Sequence, residues 1–218
     1  MDESIKLYTY WRSSACYRVR IALALKGLAY ESVPVHLANS EQHLAGFHEV
    51  NPQELIPVLR HGNRLMQQSL SIMEYLDETF PERPLLPAYA RDRQRARAIA
   101  QMVACDIHPL NNLRVQQYLE RELGANQHQR EAWTRHWIVK EFAAIEQVLA
   151  DSSSTGSFCE GDVPTIADCC LIPQIYNARR FGVDMSAYPY ISRIDANCLA
   201  LDEFKAAHPQ AQPDAPAA

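Results

Sequence analysis

The sequence predicts an α/β domain followed by an all-α domain, and three observations carry that expectation. Runs of β-branched and aromatic residues stop before residue 70. Beyond residue 90 the apolar residues follow helical spacing instead. Between these regimes Pro81, Pro84 and Pro87 frame the segment P-E-R-P-L-L-P, which suits a stiff linker because proline fixes its own backbone and donates no N–H. The domains are therefore expected at residues 1–84 and 88–211. An Ala/Pro-rich frayed tail is expected from Pro209 onward, with 212–218 disordered.

Each element follows in order. I-K-L-Y-T-Y-W, residues 5–11, reads as a strand, and Cys16 to Lys26 as a helix stopped by Gly27, which accepts a left-handed cap. Y-E-S-V-P-V-H, residues 30–36, reads as a second strand, so the intervening helix is a β-α-β crossover. N-P-Q-E-L-I-P-V-L-R gives a turn and a strand from Pro57, Gly62-Asn63 a hairpin turn, R-L-M-Q the return strand, and Ser69 to Phe80 a helix. In the second half, Ala96, Ile99, Ala100 and Val103 share a helical face, as do Ile138, Phe142, Ile145 and Leu149, and then Leu171, Ile172 and Ile175. Ser152 to Gly156 reads as a flexible loop. Pro109, inside D-I-H-P-L-N-N, must bend the helix that holds it, which either aims His108 and Asn112 at a cleft or is a structural kink. In D-V-P-T-I-A-D, Thr165 and Asp168 have capping-box spacing.

Composition narrows the function. The 218 residues are 47% hydrophobic and 22% charged with a net charge of -5, an ordinary globular balance that argues against a general nucleic-acid binder. M-D-E-S-I-K does not read as a signal peptide, and no apolar run is long enough to span a bilayer, so a cytoplasmic address is expected. Cys16, Cys105, Cys159, Cys169, Cys170 and Cys198 show no C-x-x-C pair and read as thiols, most of them small buried hydrophobes. Neither the adjacent Cys169 and Cys170 nor the group His36, His43 and His48 makes a convincing ligand set, so no metal site is expected.

The chemistry concentrates in R-S-S-A-C-Y-R-V-R, residues 12–20, at a strand-to-helix junction. Such a place can grip an anion at the helix N-terminus or hold a reactive sulfur. Ser13 and Ser14 offer hydroxyl donors there, and Cys16 a thiol. Gln68 and Ser69 open another helix, where Ser69 by itself reads as an N-cap.

Taken together, S-S-x-x-x-R-V-R-I-A-L-A-L-K-G, the N-P-x-x-x-I-P turn, the pair Gln68-Ser69, T-x-A-D at Thr165 and L-I-P-Q-I-Y-N-A-R-R-F-G-V-D closely resemble the zeta class of glutathione transferases, from Lys6 to about Pro213. The resemblance implies the cytosolic glutathione transferase fold, a thioredoxin-like glutathione-binding domain followed by an all-α domain carrying much of the substrate pocket, and a homodimer. It implies glutathione as cofactor. Pro57 is then cis, turning the backbone of Ile56 toward the cysteinyl portion; Gln68 and Ser69 take the γ-glutamyl carboxylate, Gln42 the glycine end, and His108 and Asn112 lie on the helix facing the cofactor. Ser13 and Ser14 stabilise the thiolate of glutathione. The family pattern places cysteine directly after the serines, whereas here Ala15 stands there and Cys16 follows. One helical step rotates a side chain by roughly 100°, so Cys16 is a secondary catalytic candidate whose simpler reading is packing.

The implied reaction is cis-trans isomerisation of an unsaturated dicarboxylic keto acid, maleylacetoacetate or its relative maleylpyruvate, by thiolate addition, bond rotation and elimination. Two substrate carboxylates call for cations. Arg12, Arg114 and Arg180 are the candidates, since guanidinium pairs bidentately with carboxylate; Arg180 matches the family's substrate-binding arginine, while Arg18 and Arg179 read as structural or exposed. Related maleylpyruvate enzymes resemble an arginine where Leu113 stands, which leans toward the longer acid. Conjugation or dehalogenation of small α-halo acids is a further alternative, and a non-catalytic interaction module a distant one.

Overall fold

The structure is a computed structural model describing residues 4–216. The chain divides into two compact units. One runs to Leu86 and takes the chain back from Leu199 onward; the other is Pro87–Cys198.

The first unit begins with β1 (Ile5–Thr9), α1 (Ser14–Lys26) and β2 (Glu31–Pro34), continues through a short helix α2 (Ala45–His48), and closes with the hairpin β3 (Val58–His61) and β4 (Arg64–Gln67) and helix α3 (Ser69–Thr79). The sheet order is β2-β1-β3-β4. Strands β1 and β2 are parallel, as a helical crossover requires. Strands β1 and β3 run antiparallel with Tyr8 opposite Val58, and β3 pairs β4 with Val58 opposite Gln67. That register fixes the location of the chemistry. The exit of β1, the entry of β3 and the exit of β4 all fall at one end of the sheet.

Helix α1 is buried on every face, with Val19, Ile21 and Leu23 fully inaccessible; each such side chain stabilises the fold by up to about 1.5–3 kcal/mol. Its last turn is closed by Gly27 at φ 68°, whose N–H reaches the carbonyls of Leu23 and Ala24. Lys26 is buried there, donating to Asp77 of α3 at 3.2 Å and to the carbonyl of Arg83 at 2.7 Å. The proline-framed segment is thus tied to two helices.

The second unit contains α4 (Ala90–Gln101), a π-helical stretch (Met102–Ile107), α5 (His108–Asn111), α6 (Leu113–Arg121), α7 (Gln127–Ala150) and α8 (Ile166–Arg180), and α9 (Pro189–Ala200) leads out of it. The expected stripes are its core: Ala96, Ile99, Val103, Ile138, Phe142, Ile145, Leu149, Leu171 and Ile175 are all inaccessible. The effect of Pro109 is a division rather than a bend. The wide turns come just ahead of it, proline occupies the first turn of α5 where a missing N–H costs nothing, and the helix stops at Asn112, φ -62° and ψ 149°. Helix α8 starts on the expected capping box. Asp168, fully buried, accepts from the N–H and hydroxyl of Thr165 and from the N–H of Cys159.

Two expectations need correction. The loop read as flexible at Ser152–Gly156 is pinned by Arg95, which pairs with Glu160 and donates to Thr155 Oγ1 and to the carbonyls of Val148 and Cys159. The expected frayed tail, and the boundary at 211, also fail. Helix α10 (Asp202–Ala207) packs against α1 in the first unit, and beyond it Gln212 Nε2 donates to the carbonyls of Ala206 and His208 at 2.9 and 3.0 Å. Ala215 packs on the core beside Trp11 and Cys16. Alanine and proline read as a tail because their partners lie about 200 residues away. Residues 217 and 218 of that tail lie outside the described residues. Among the described residues no helix is long and apolar enough to cross a membrane.

Candidate functional site

Residues 10–14 connect β1 to α1 at the sheet end defined above. The Ser13 N–H bonds the carbonyl of Tyr10 at 3.0 Å, which turns the chain, and its Oγ accepts the Cys16 N–H at 3.3 Å, which caps the helix. Ser14 is the first helical residue and stays half-exposed. The cap uses the third N–H of the helix, so those of Ser14 and Ala15 face out of the positive end of α1. The two serines therefore differ: Ser13 is committed as an acceptor in the cap, whereas the hydroxyl of Ser14 is the one at the open turn.

For Cys16, a secondary catalytic candidate, the surroundings favour the packing reading. The residue is fully buried in a cluster with Tyr10, Trp11, Val35, Phe47, Ile56 and Val58. Burial pushes its thiol pKa up, against the opposing pull of Arg20. A buried thiol whose ionisation is disfavoured is a poor nucleophile.

Across the same sheet end, the Ile56–Pro57 peptide is cis, and Ile56 lies ahead of β3, outside its ladder. Its backbone is thus not part of the sheet's ladder. At the exit of β4, Gln68 adopts φ 69° and ψ 111°, a region that costs a residue with a side chain on the order of 1–3 kcal/mol and tends to mark functional sites. Its side chain makes no capping bond and donates to Gln53 at 3.0 Å. Ser69 is the first residue of α3 rather than its cap, and its hydroxyl accepts from Arg18 Nη1 at 3.1 Å. Arg18 is buried. A cation brought by α1 under the start of α3 reinforces the positive end of that helix.

Gln42 follows β2 in a 3-10 turn and is buried, with Oε1 lacking a partner among the described residues. Its Nε2 contacts His43 Nε2 at 2.9 Å, and His43 Nδ1 lies 2.6 Å from Glu54. The His43 hydrogen bond holds the Glu54 carboxyl below its usual range. A buried acceptor without a partner is able to take an N–H from a ligand.

Arg12 is exposed with its guanidinium 5.5 Å from the Trp11 ring centre. In the second unit His108 opens α5, and Asn112 caps α6 by accepting the Arg114 N–H at 3.1 Å. The Arg114 side chain is exposed. Arg180, at the end of α8, donates to Asn177 at 3.0 Å and lies 5.4 Å from the Phe181 ring centre. Arg179 instead pairs with the buried Asp195 at 2.6 Å. Among the described residues no group of three or more His, Cys, Asp or Glu is arranged to hold a metal.

Sequence reasoning missed Arg20. Its buried guanidinium donates to Thr9 Oγ1 at 3.2 Å, to the carbonyls of Tyr10 and Trp11 at 3.3 and 2.9 Å, and to that of Ala207 at 3.1 Å. A charge on a helix apolar all round was the available signal. It was equally missed that the N–H of Trp11 donates to Asp214 at 2.8 Å; nothing local to either residue announces that bond.

A four-stranded β2-β1-β3-β4 sheet with a cis-proline at one end and the starts of α1 and α3 around it, followed by an all-helical unit, defines a glutathione transferase. Residues 7–84 match the family of glutathione S-transferase N-terminal domains. A probable maleylacetoacetate isomerase of Vibrio cholerae is 50% identical over 97% of this chain and 99% of its own. The solved holo structure of a maleylpyruvate isomerase, a bacterial zeta-class glutathione transferase, is 47% identical with a TM-score of 0.95, covering 97% of this chain and 100% of its own. The maleylacetoacetate isomerase of Methylobacterium extorquens, solved with malonate and glutathione bound, is 44% identical with the same TM-score and coverage. The chain belongs to the zeta class of glutathione transferases, the family of the maleylacetoacetate and maleylpyruvate isomerases.

Proposed function

We propose that the protein is a glutathione-dependent isomerase that converts maleylacetoacetate to fumarylacetoacetate. The observation that carries the reading is the β1–α1 turn, where Ser13 caps the helix and leaves the Ser14 hydroxyl at its open N-terminus, on the sheet end shared with cis Pro57 and the start of α3. Glutathione, when bound, supplies the thiol whose thiolate adds to the cis double bond, permits rotation and is then eliminated. The protein's own task is to hold that sulfur ionised. The Ser14 hydroxyl donates to it, and the outward N–H groups of α1 lower its pKa below the roughly 8.5 of a free thiol. The Ile56 backbone pairs with the cysteinyl portion, Gln68 and Ser69 take the γ-glutamyl carboxylate and Gln42 the glycine end, while His108 and Asn112 are assigned to the cofactor from the second unit. Arg12, Arg114 and Arg180 are assigned to the substrate carboxylates, a class of ligand consistent with malonate in a relative.

Maleylpyruvate is the second reading, favoured by the 47% identical maleylpyruvate isomerase. Leu113, apolar and exposed, leaves one cation fewer and favours the longer acid. A homodimer in the cytoplasm completes the proposal. Incubation with glutathione and each maleyl acid in turn, following fumaryl product, tests it. Turnover of maleylacetoacetate well above maleylpyruvate is expected; no glutathione-dependent turnover of either overturns the isomerase reading.

A further inference from the structure

We propose that the carboxyl-terminal segment 207–215 is a positioning element for the β1–α1 turn, and that Asp214 is the residue through which it acts. The inference rests on the reading of that turn as the place where the glutathione sulfur is held.

Trp11 immediately precedes Arg12, Ser13 and Ser14, and both of its backbone polar groups are gripped from elsewhere. The N–H donates to Asp214 Oδ2 at 2.8 Å, and the C=O accepts from Arg20 Nη2 at 2.9 Å. Arg20 in turn donates to the carbonyl of Ala207 at 3.1 Å, so both grips lead to one segment. That segment is anchored on either side of Asp214. Gln212 bonds back to Ala206 and His208, the Ala215 N–H donates to the Gln212 carbonyl at 3.0 Å, and the Ala215 side chain packs against the cluster of Trp11 and Cys16. The His208 ring meets Tyr17 of α1 edge-on, centres 6.1 Å apart.

Asp214 Oδ1 is buried and lacks a hydrogen-bond partner among the described residues. Half-burying a carboxylate for one hydrogen bond to a neutral N–H and the attraction of the nearby Arg20 guanidinium is a weak route to stability. It is a good route to geometry, because a charged acceptor holds an N–H more tightly than a neutral one. A displacement of 1 Å at a reacting group can cost on the order of 100-fold in rate.

Kinetics as a function of glutathione and pH are measured for the wild type, Asp214→Ala, Asp214→Asn and Pro213→Gly, with thermal unfolding in parallel and the ultraviolet absorbance of bound thiolate recorded without substrate. Asp214→Ala is expected to lower kcat/KM on the order of 10- to 100-fold and to move its acid limb to higher pH, because the thiol is no longer aligned with Ser14 and the helix end. Asn, whose Oδ1 accepts the same N–H without the charge, should recover most of that shift in the acid limb. Pro213→Gly, which loosens the segment but keeps the carboxylate, should fall between them. Wild-type kinetics and acid limb in Asp214→Ala overturn the proposal, as does an equal loss in Asp214→Asn, which would make the effect one of charge. Should the Ala variant fail to fold, an unchanged acid limb in Pro213→Gly overturns it. A wild-type protein that ionises bound glutathione but isomerises neither acid removes the functional reading alone, and the thiolate absorbance of the variants still decides this one. A wild-type protein that binds no glutathione removes both.

Discussion

At the scale of single residues, the two neighbouring serines are separated by one hydrogen bond. Ser13 Oγ accepts the Cys16 N–H and Ser14 does not share that duty. On the proposed function, replacing Ser14 by Ala removes a donor to the thiolate, a loss of about 1.5–3 kcal/mol, so kcat/KM should fall roughly 10- to 100-fold. The acid limb of its pH profile should also move upward, since a thiol that loses a donor to its charged form ionises later. Cys16→Ala, changing a fully buried thiol whose pKa burial has raised, should leave the limb in place and cost about 1 kcal/mol in stability. Stopped-time assays across pH check both variants, and the opposite ranking would restore the protein thiol to the mechanism. Here the sequence was informative about residue type and silent about burial. S-S-A-C marks the turn, while the exclusion of Cys16 comes from Val35, Phe47 and Val58, which surround it from three other segments.

At the scale of elements, the signals that were read correctly are those with local causes. Gly27, the Thr165–Asp168 box and the apolar stripes of α7 each act through neighbours within a few positions. Asp168 carries the clearest stability prediction. Its carboxylate accepts three hydrogen bonds in a fully buried place, and Asp168→Ala should cost about 3 kcal/mol, lowering Tm by roughly 6–12 °C. Burial holds this carboxyl above its usual pKa, with the donated hydrogen bonds opposing. The folded state therefore binds the proton more tightly than the unfolded chain. The stabilisation from Asp168 is fullest below its unfolded pKa of about 3.9 and declines as pH rises through the folded value. Denaturant unfolding of the wild type and the Ala variant from acid to neutral pH should show the gap narrowing; a gap that widens contradicts it. The elements misread were those with distant causes. Ser152–Gly156 looked loose because Arg95, which ties it down, lies in a different helix.

At the scale of the whole molecule, the first unit is closed by the end of the chain. Helix α10 packs on α1, and the Ala207 carbonyl takes a hydrogen bond from the buried guanidinium of Arg20. A fragment ending at Leu86 leaves that cation short of an acceptor, about 1.5–3 kcal/mol for a hydrogen bond to a charged group, and uncovers the part of α1 on which α10 packs. Together these are a large part of the roughly 5–15 kcal/mol by which domains are stable. The fragment should show no cooperative thermal transition by circular dichroism, whereas one that melts cooperatively would show that the first unit is self-sufficient.

The sequence by itself determined the order of the four strands with α1 and α3, the helical character of the second half, the residue types at the β1–α1 turn and the family they resemble. Periodicity, capping and turn chemistry act over a few residues and are written where they act. Only the tertiary structure decided that Arg18 and Arg20 are buried, that Cys16 is sealed, that Gln68 is held at positive φ and that Asp214 reaches Trp11. Those facts depend on which side chains meet after the chain has folded back on itself. Over a separation of 203 residues no local pattern encodes such a meeting.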